Sequence, residues 1–274
     1  MFILYKMPKV KKSLVKKALS GQKPAYAKAT AGKKVEVIKE VVVKKYELSI
    51  DLKNMLDAGC HLGHKISKTN PKSKENIYKA MDGIQIIDLT KSIIQLKNAC
   101  NYIYSSIKSG KTVAFLGTKR QAREVVRRVA TELGIPYVTD RWLGGTVSNW
   151  GEIKKNIRRL NDINTGLKAN KYAEMSKKDL SLLKKETVRL NKMIGGLVTL
   201  EKLFDVIFVV DSGYEKSAIK ECNDKGIKVV SIVDTDSNPE KVDFAISAND
   251  DNVKSISLIV EEMGKAVKAG QTKN

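Results

Sequence analysis

Histidine is nearly missing from this chain: only His61 and His64 occur in 274 residues. A histidine-dependent catalytic triad has almost no material to work with. Cysteine is scarce as well. Cys60, Cys100 and Cys222 stand far apart with no C-x-x-C pair, which excludes a zinc ribbon and a disulfide framework and fits a reducing cytosol. Each reads as a small buried hydrophobe. Long apolar runs are absent too. Val206-Ile207-Phe208-Val209-Val210 falls far short of the roughly 20 residues a membrane span needs, so no membrane partner is expected and such runs read as buried strands. Enzyme signatures are missing in the same way. There is no G-x-G-x-x-G after a strand, no complete phosphate loop and no G-x-S-x-G. His61-Leu62-Gly63-His64 has the wrong spacing for a zinc-protease helix and lacks its glutamate.

Acid is the scarce charge. The chain carries 51 Lys+Arg against 30 Asp+Glu, a formal net charge of +21. Residues 1–45 hold 13 basic side chains and 2 acidic ones, whereas residues 201–274 hold 10 and 14. The first 200 residues therefore face a polyanion, and the acidic C-terminal quarter faces something else. A solvated lysine-rich face is the bland alternative, but a charge this large and one-sided points to an anionic partner.

Residues 1–46 read as a basic, disordered extension, because lysines and an Ala/Lys/Thr/Gly stretch offer little to a core. An organellar transit peptide is the competing reading; the scarcity of Arg and Ser favours an RNA-binding arm. Met7-Pro8-Lys9 also opens cleanly as a start. From Leu52 the pattern alternates. Continuous apolar strands at Ile84–Ile87, Thr112–Leu116, Ile135–Val138, Asp205–Val210, Lys228–Val233 and Phe244–Ile246 are interleaved with amphipathic helices, the last over Asn252–Val267. That alternation predicts an α/β fold, a doubly wound parallel sheet of the flavodoxin-like or Rossmann-like kind, over residues 47–148 and 198–269. Between them, residues 149–197 change period. Ile153, Ile157, Leu160, Ile163 and Leu167, then Leu180, Leu183, Thr187, Leu190 and Ile194, form seams on two helices. They predict an inserted antiparallel coiled-coil hairpin with basic flanks. Residues 270–274 are left as a tail.

Two constellations carry binding chemistry. Gly117-Thr118-Lys119-Arg120 follows a strand and opens a helix at about Gln121, where free backbone N–H groups and the helix dipole favour an anion. Lys119, Arg120, Arg123 and Arg127 crowd that helix start. Around the Gly-Gly pair of Arg141-Trp142-Leu143-Gly144-Gly145, Arg141, Trp142, Asn149 and Trp150 could stack on or bond to RNA. Trp142 packing the root of the hairpin is the equal alternative. Lys154, Lys155, Arg158 and Arg159 on the first hairpin helix, and Lys65, Lys68, Lys72 and Lys74 upstream, complete the expected RNA-contacting set.

Gly59-Cys60-His61-Leu62-Gly63-His64, Asn70-Pro71-Lys72, Ile86-Ile87-Asp88-Leu89, Phe115-Leu116-Gly117-Thr118-Lys119-Arg120, Arg141-Trp142-Leu143-Gly144-Gly145, Gly195-Gly196, Asp234-Thr235-Asp236 and Asn249-Asp250-Asp251 occur in that order. This ordered set, over about Leu48 to Lys268, closely resembles the bacterial-type S-two protein family of the small ribosomal subunit. The resemblance implies an α/β domain with a protruding helical hairpin, seated on small-subunit rRNA near the head–body junction. It also implies neighbouring small-subunit proteins as partners, among them the largest, ribosomal protein S-one, and a cytoplasmic, ribosome-bound location. The chain departs from the family in its longer N-terminal arm, in Asp236 where Asn is usual, and in lacking a long acidic tail after Lys268.

The expected function is therefore a structural, rRNA-binding protein of the small subunit that assists its assembly and recruits a partner, and not an enzyme. A nucleotide-binding enzyme with its phosphate site at Thr118 and a general nucleic-acid architectural protein are the alternatives. No cofactor is required. Asp234, Asp250 and Asp251, with His64 if the family fold brings it near, form a candidate weak zinc or magnesium site; helix capping and loop anchoring are the plainer roles of the aspartates.

Overall fold

A computed structural model describes residues 46–272 except Asn170 and Ala173. The expected basic extension therefore lies outside the described residues save for Tyr46, which packs against the body instead of belonging to an arm. Its N–H donates to Asn101 Oδ1 (2.7 Å) and its hydroxyl to Glu262 Oε1 (2.9 Å).

Five parallel strands form the main sheet. They are β4 (Val113–Leu116), β5 (Tyr137–Val138), β6 (Val206–Val209), β7 (Lys228–Val233) and β8 (Phe244–Ser247), in the spatial order β5-β4-β6-β7-β8. Along β4, Val113 and Phe115 enter one apolar cluster while Ala114 and Leu116 enter another; along β6, Val206 and Phe208 separate likewise from Ile207 and Val209. Strands buried on both faces explain the unbroken apolar runs. The first face is covered by α1 (Leu52–Asp57), α2 (Leu89–Lys108), α3 (Arg123–Leu133) and α7 (Val253–Gln271). The second is covered by α4 (Trp150–Lys168), α5 (Lys177–Ile194) and α6 (Lys216–Asp224). This is a doubly wound α/β arrangement in the flavodoxin-like strand order, which reverses direction between β4 and β6.

Helices α4 and α5 are consecutive, share the apolar cluster of the second face through Ile153, Ile157, Leu160, Ile163, Leu183, Leu190 and Ile194, and meet at Arg159 and Glu186. Their flanks are exposed and mostly polar, with Leu182 and Val188 as exposed apolar exceptions on α5. A second sheet, which the sequence pattern shows only as Ile84–Ile87, is antiparallel: β1 (Leu62–Lys65), β3 (Ile84–Ile87) and β2 (Ile77–Met81), in that order. Asp82 and Gly83, both at positive φ (49° and 78°), close the β2–β3 hairpin. Asp-Gly is the local sequence such a turn prefers.

The entry segment is tied down by one acid. Glu262 on α7 is fully buried. It accepts from Ser49 N (2.7 Å), Ser49 Oγ (2.5 Å) and Tyr46 Oη (2.9 Å), with Lys265 Nζ at 3.3 Å. Burial alone would raise the carboxyl's pKa, but Ser49, Tyr46 and Lys265 outweigh it and hold it below its ordinary value. Glu262→Ala is expected to cost about 2–3 kcal/mol in urea unfolding at pH 7, since it strands donors aimed at a charged acceptor. A folded-state pKa that is depressed gives stability above the unfolded pKa and loses it as pH falls through the folded value. The gap between wild type and variant should therefore begin to narrow below the unfolded glutamate value of about 4.3 and close only below the lower folded one.

Candidate functional site

Parallel strands deliver their following loops to one edge. Here β4 leads into Gly117–Arg120, β6 into Val210–Glu215, β7 into Asp234–Asp236 and β8 into Ala248–Asp251. Strand β1 joins them: His64 N–H donates to Thr235 Oγ1 (2.9 Å), and Asn249 Nδ2 donates to Leu62 O (2.5 Å). The result is a compact set of charges at the carboxyl edge of the sheet.

Lys119 sits at its centre. Its ammonium lies 2.9 Å from Asp211 Oδ2, 2.8 Å from Asp250 Oδ1 and 2.7 Å from Asp251 Oδ1, and its side chain is only 14% exposed. Burial opposes its charge, but Asp250, Asp251 and Asp211 prevail and raise its pKa. His64 is the second cation of the set. Its Nδ1 is 3.2 Å from Asp234 Oδ2 and its Nε2 3.4 Å from Asp251 Oδ2 and 3.9 Å from Asp236 Oδ2. Pairing with Asp234 lifts its pKa to about 9 against the opposing effect of burial, with Asp236 and Asp250 adding to the lift. Asp250 is almost fully buried. Burial and the nearby Asp211 and Asp234 push its carboxyl upward, against the pull of Lys119. Asp251, exposed, is held below its ordinary value by Lys119, which overcomes the effect of burial, and by His64 and Lys68.

The structure thus brings His64, Asp234 and Asp250 together, with one ligand atom of each within 4.8 Å of the others, and Asp251 beside them. His64 Nδ1 is buried and is not aligned to make a hydrogen bond, even with Asp234 at 3.2 Å. A ring nitrogen facing carboxylates can take a cation only by giving up its proton, so the ion competes with the proton that Asp234 holds there.

Two expectations are corrected at this edge. Lys119 was expected on a phosphate, but its three donors meet three carboxylates. The anion site at Gly117–Arg120 is likewise filled from within. Glu215 Oε1 accepts from Thr118 N (3.0 Å) and Thr118 Oγ1 (2.5 Å), and the helix begins only at Arg123. The crevice where the strand order reverses is where doubly wound sheets bind nucleotides; a buried carboxylate stands there. Burial raises the pKa of Glu215 although Thr118 opposes it. This argues against phosphate at Thr118 from either a nucleotide or RNA.

Trp142 is buried in the cluster of the second face, and its indole N–H donates to Glu221 Oε2 (2.9 Å), so it packs the root of the helix pair rather than offering a ring to a base. The same carboxylate accepts from Val147 N (3.0 Å), Ser148 N (2.7 Å) and Ser148 Oγ (2.7 Å). Burial would raise the pKa of Glu221, but Ser148, Trp142 and Val147 hold it below its ordinary value. Trp150 packs half-buried on the same cluster. Glu221→Ala is expected to release the 142–148 loop, cost about 2 kcal/mol and shift tryptophan emission to the red. An unshifted spectrum with unchanged stability would show that the loop is held by packing alone.

The remaining cations divide by partner. Arg123 donates to Thr118 O (2.8 Å) and Asp140 O (3.3 Å), and Arg127 to Thr139 Oγ1 (3.1 Å) and Asp140 Oδ2 (3.2 Å). Lys72 pairs with Glu240, Lys155 with Glu152, Arg128 with Glu261 and Arg159 with Glu186. Lys65, Lys68, Lys74, Arg120, Arg141 and Arg158 are exposed and Lys154 half-exposed. None of these seven has an ion-pair partner among the described residues. Asn149 is exposed at the start of α4. Sequence reasoning missed Asp211, Glu215, Glu221 and Glu262. Asp211 alone gave a signal, as the acid directly after an apolar strand.

A sequence model of the family described as Ribosomal protein S2 matches residues 55–270. The chain is similar to curated proteins named small ribosomal subunit protein uS2. The one from Roseiflexus sp. (strain RS-1) is 38% identical over 82% of this chain and 86% of its own length. The one from Nostoc punctiforme is 37% identical over 81% and 84%, and the one from Oenococcus oeni 37% over 81% and 86%.

Proposed function

The chain belongs to the ribosomal protein S2 family, and from that membership we propose that it works by holding small-subunit rRNA on its unpaired cations and a neighbouring protein at its acidic edge. It is a structural protein of the small ribosomal subunit, not an enzyme. Among the described residues no helix is long and apolar enough to cross a membrane. We read the location as ribosome-bound in the cytoplasm.

The observation that carries the rRNA reading is the division of cations. Lys65, Lys74, Arg120, Arg141, Lys154 and Arg158 keep their charge free of ion-pair partners among the described residues, as phosphate contacts require, and Lys68 acts only at longer range on Asp251. Helices α4 and α5, read as an antiparallel coiled coil with basic flanks, carry Lys154 and Arg158 as a projection against RNA. The deciding experiment is rRNA binding by the full chain as a function of salt; a flat salt response would remove the reading.

The acidic edge repels phosphate and suits protein. Beside it the small sheet exposes an apolar face, where Met81 lies opposite Ile84 and Leu62 opposite Ile86. A neighbouring small-subunit protein fits there, and ribosomal protein S-one is the partner the family resemblance implies. A weakly held divalent ion belongs to the same reading: zinc through His64 with Asp234 and Asp250, or magnesium through the carboxylates alone. Lys119 already neutralises Asp250, so affinity is modest. Asp234→Asn with Asp250→Asn is expected to lower bound metal in elemental analysis and weaken partner recruitment while sparing rRNA binding. Metal and recruitment both at wild-type levels would leave these residues as loop anchors.

A further inference from the structure

The Gly195-Gly196 pair has no part in the reading above, yet it shapes a cleft beside the last turn of α5. The cleft has a volume of about 450 Å³, within the range of about 300–1,000 Å³ typical of small-ligand sites. One wall comes from β5 and the loop after it, the other from the end of α5 and the glycine pair. Any Cβ on Gly196 would overlap the Tyr137 carbonyl and ring. The missing side chain therefore lets the strand and the helix end approach closely, with Tyr137 on the wall.

Unused polar groups converge on this space. Arg127 engages Thr139 and Asp140 through Nη2 alone. The N–H groups on its Nε and Nη1 have no partner among the described residues, and neither do the Lys192 ammonium, the Asn191 amide and the Tyr137 hydroxyl. Asn191 and Lys192 are exposed and so open to a ligand from solvent, as are the unpaired cations of the rRNA reading. The wall is polar, which disfavours an apolar peptide side chain. Two cations against the single carboxylate of Asp140, which already holds Arg127, leave a net positive charge that suits a phosphate. An aromatic ring beside an amide with one donor and one acceptor suits a base, stacked on its face and read along its edge.

We propose that this cleft is a nucleotide subsite of the rRNA interface. It takes one unpaired nucleotide, the base against Tyr137 and the Asn191 amide, the phosphate at Arg127 and Lys192. The subsite rests on the rRNA-binding reading above and deepens it, adding Tyr137, Asn191 and Lys192 to the contacts. RNA offers such a nucleotide in loops and bulges, where bases are splayed from the stack.

The test uses small subunits reconstituted with the full chain, irradiated with ultraviolet light, and nucleotide adducts located by mass spectrometry. Adducts are expected on peptides carrying Tyr137 or residues 191–196, and also on the peptide carrying Arg158. Asn191→Leu with Lys192→Ala, both at exposed positions, should reduce the cleft adducts roughly tenfold and leave the Arg158 adducts unchanged. Adducts at Arg158 with none in the cleft would overturn the subsite and leave the rRNA reading standing. Absence of all adducts together with absence of rRNA binding would overturn both. A parallel arm offers AMP to the free protein: cleft adducts from AMP that rRNA does not compete away would assign the cleft to a free mononucleotide and overturn the RNA source.

Discussion

Replacing Arg120, Arg141, Lys154 and Arg158 together with glutamine is expected to weaken binding to small-subunit rRNA and to reduce the slope of log affinity against log salt by about 3. Each cation on a phosphate releases counterions worth roughly 0.7–0.9 of slope, and these four have no protein carboxylate to satisfy them first. A matched set provides the contrast. Arg123, Arg128, Arg159 and Lys72 are equally basic, but each is already held by a backbone oxygen or a carboxylate. Exposed pairs are weak, about 0–1 kcal/mol, so RNA could break them, but each phosphate contact would then give up a protein contact. The paired set should therefore change the slope less. Equal slopes for the two variants would sink the argument from partners, and a wild-type slope for the first variant would remove those four residues from the interface. Folding is not at issue in either set, because none of the eight side chains lies in the core.

Local pattern made most of the fold readable. The apolar runs that become β4, β6, β7 and β8 are buried on both faces, so they carry no alternation to mislead. The steps of three and four along Ile153–Ile163 and Leu183–Ile194 fall on buried positions, Thr187 alone being half-buried, because two helices cover each other there. The small antiparallel sheet escaped for the opposite reason. Leu62-Gly63-His64-Lys65 and Ile77-Tyr78-Lys79-Ala80-Met81 are mostly exposed, with irregular pairing; only Asp82-Gly83 signalled the hairpin. The site was readable in composition but not in connection. Trp142 finds its acceptor 79 residues away on α6, Ser49 finds Glu262 213 residues away, and Thr118 finds Glu215 97 residues away. No spacing rule reaches such distances. A lysine after a strand looks the same in sequence whether it faces phosphate or three aspartates, so Lys119 was misplaced while Arg120, one residue on, faces solvent.

Lys119→Met is expected to be the most damaging single change at the sheet edge, costing about 3–5 kcal/mol of stability in urea unfolding. The side chain is of similar length, so packing changes little; what is lost is the charge. Asp211, Asp250 and Asp251 all sit within 3 Å of the ammonium, and Asp211 and Asp250 are buried, as is Asp234 next to them. Without Lys119, His64 is the one cation left within 4 Å of this set among the described residues. Removing one partner of a buried ionic set leaves the others desolvated and mutually repelling, which costs far more than the intact set contributes. The partners can be tested against each other. Lys119→Met with Asp250→Asn should recover part of the loss, since it removes the most buried of the three carboxylates that Lys119 contacts, and a double-mutant cycle should give a coupling of about 1–3 kcal/mol. The same variant separates the two roles Lys119 could have. As a centre of carboxylates, it affects stability while the folded fraction binds rRNA with an unchanged salt slope. As a phosphate contact, it would leave unfolding unchanged and reduce the slope by about one. Wild-type stability combined with that reduced slope would return Lys119 to the RNA interface and leave its three carboxylate neighbours without a structural role.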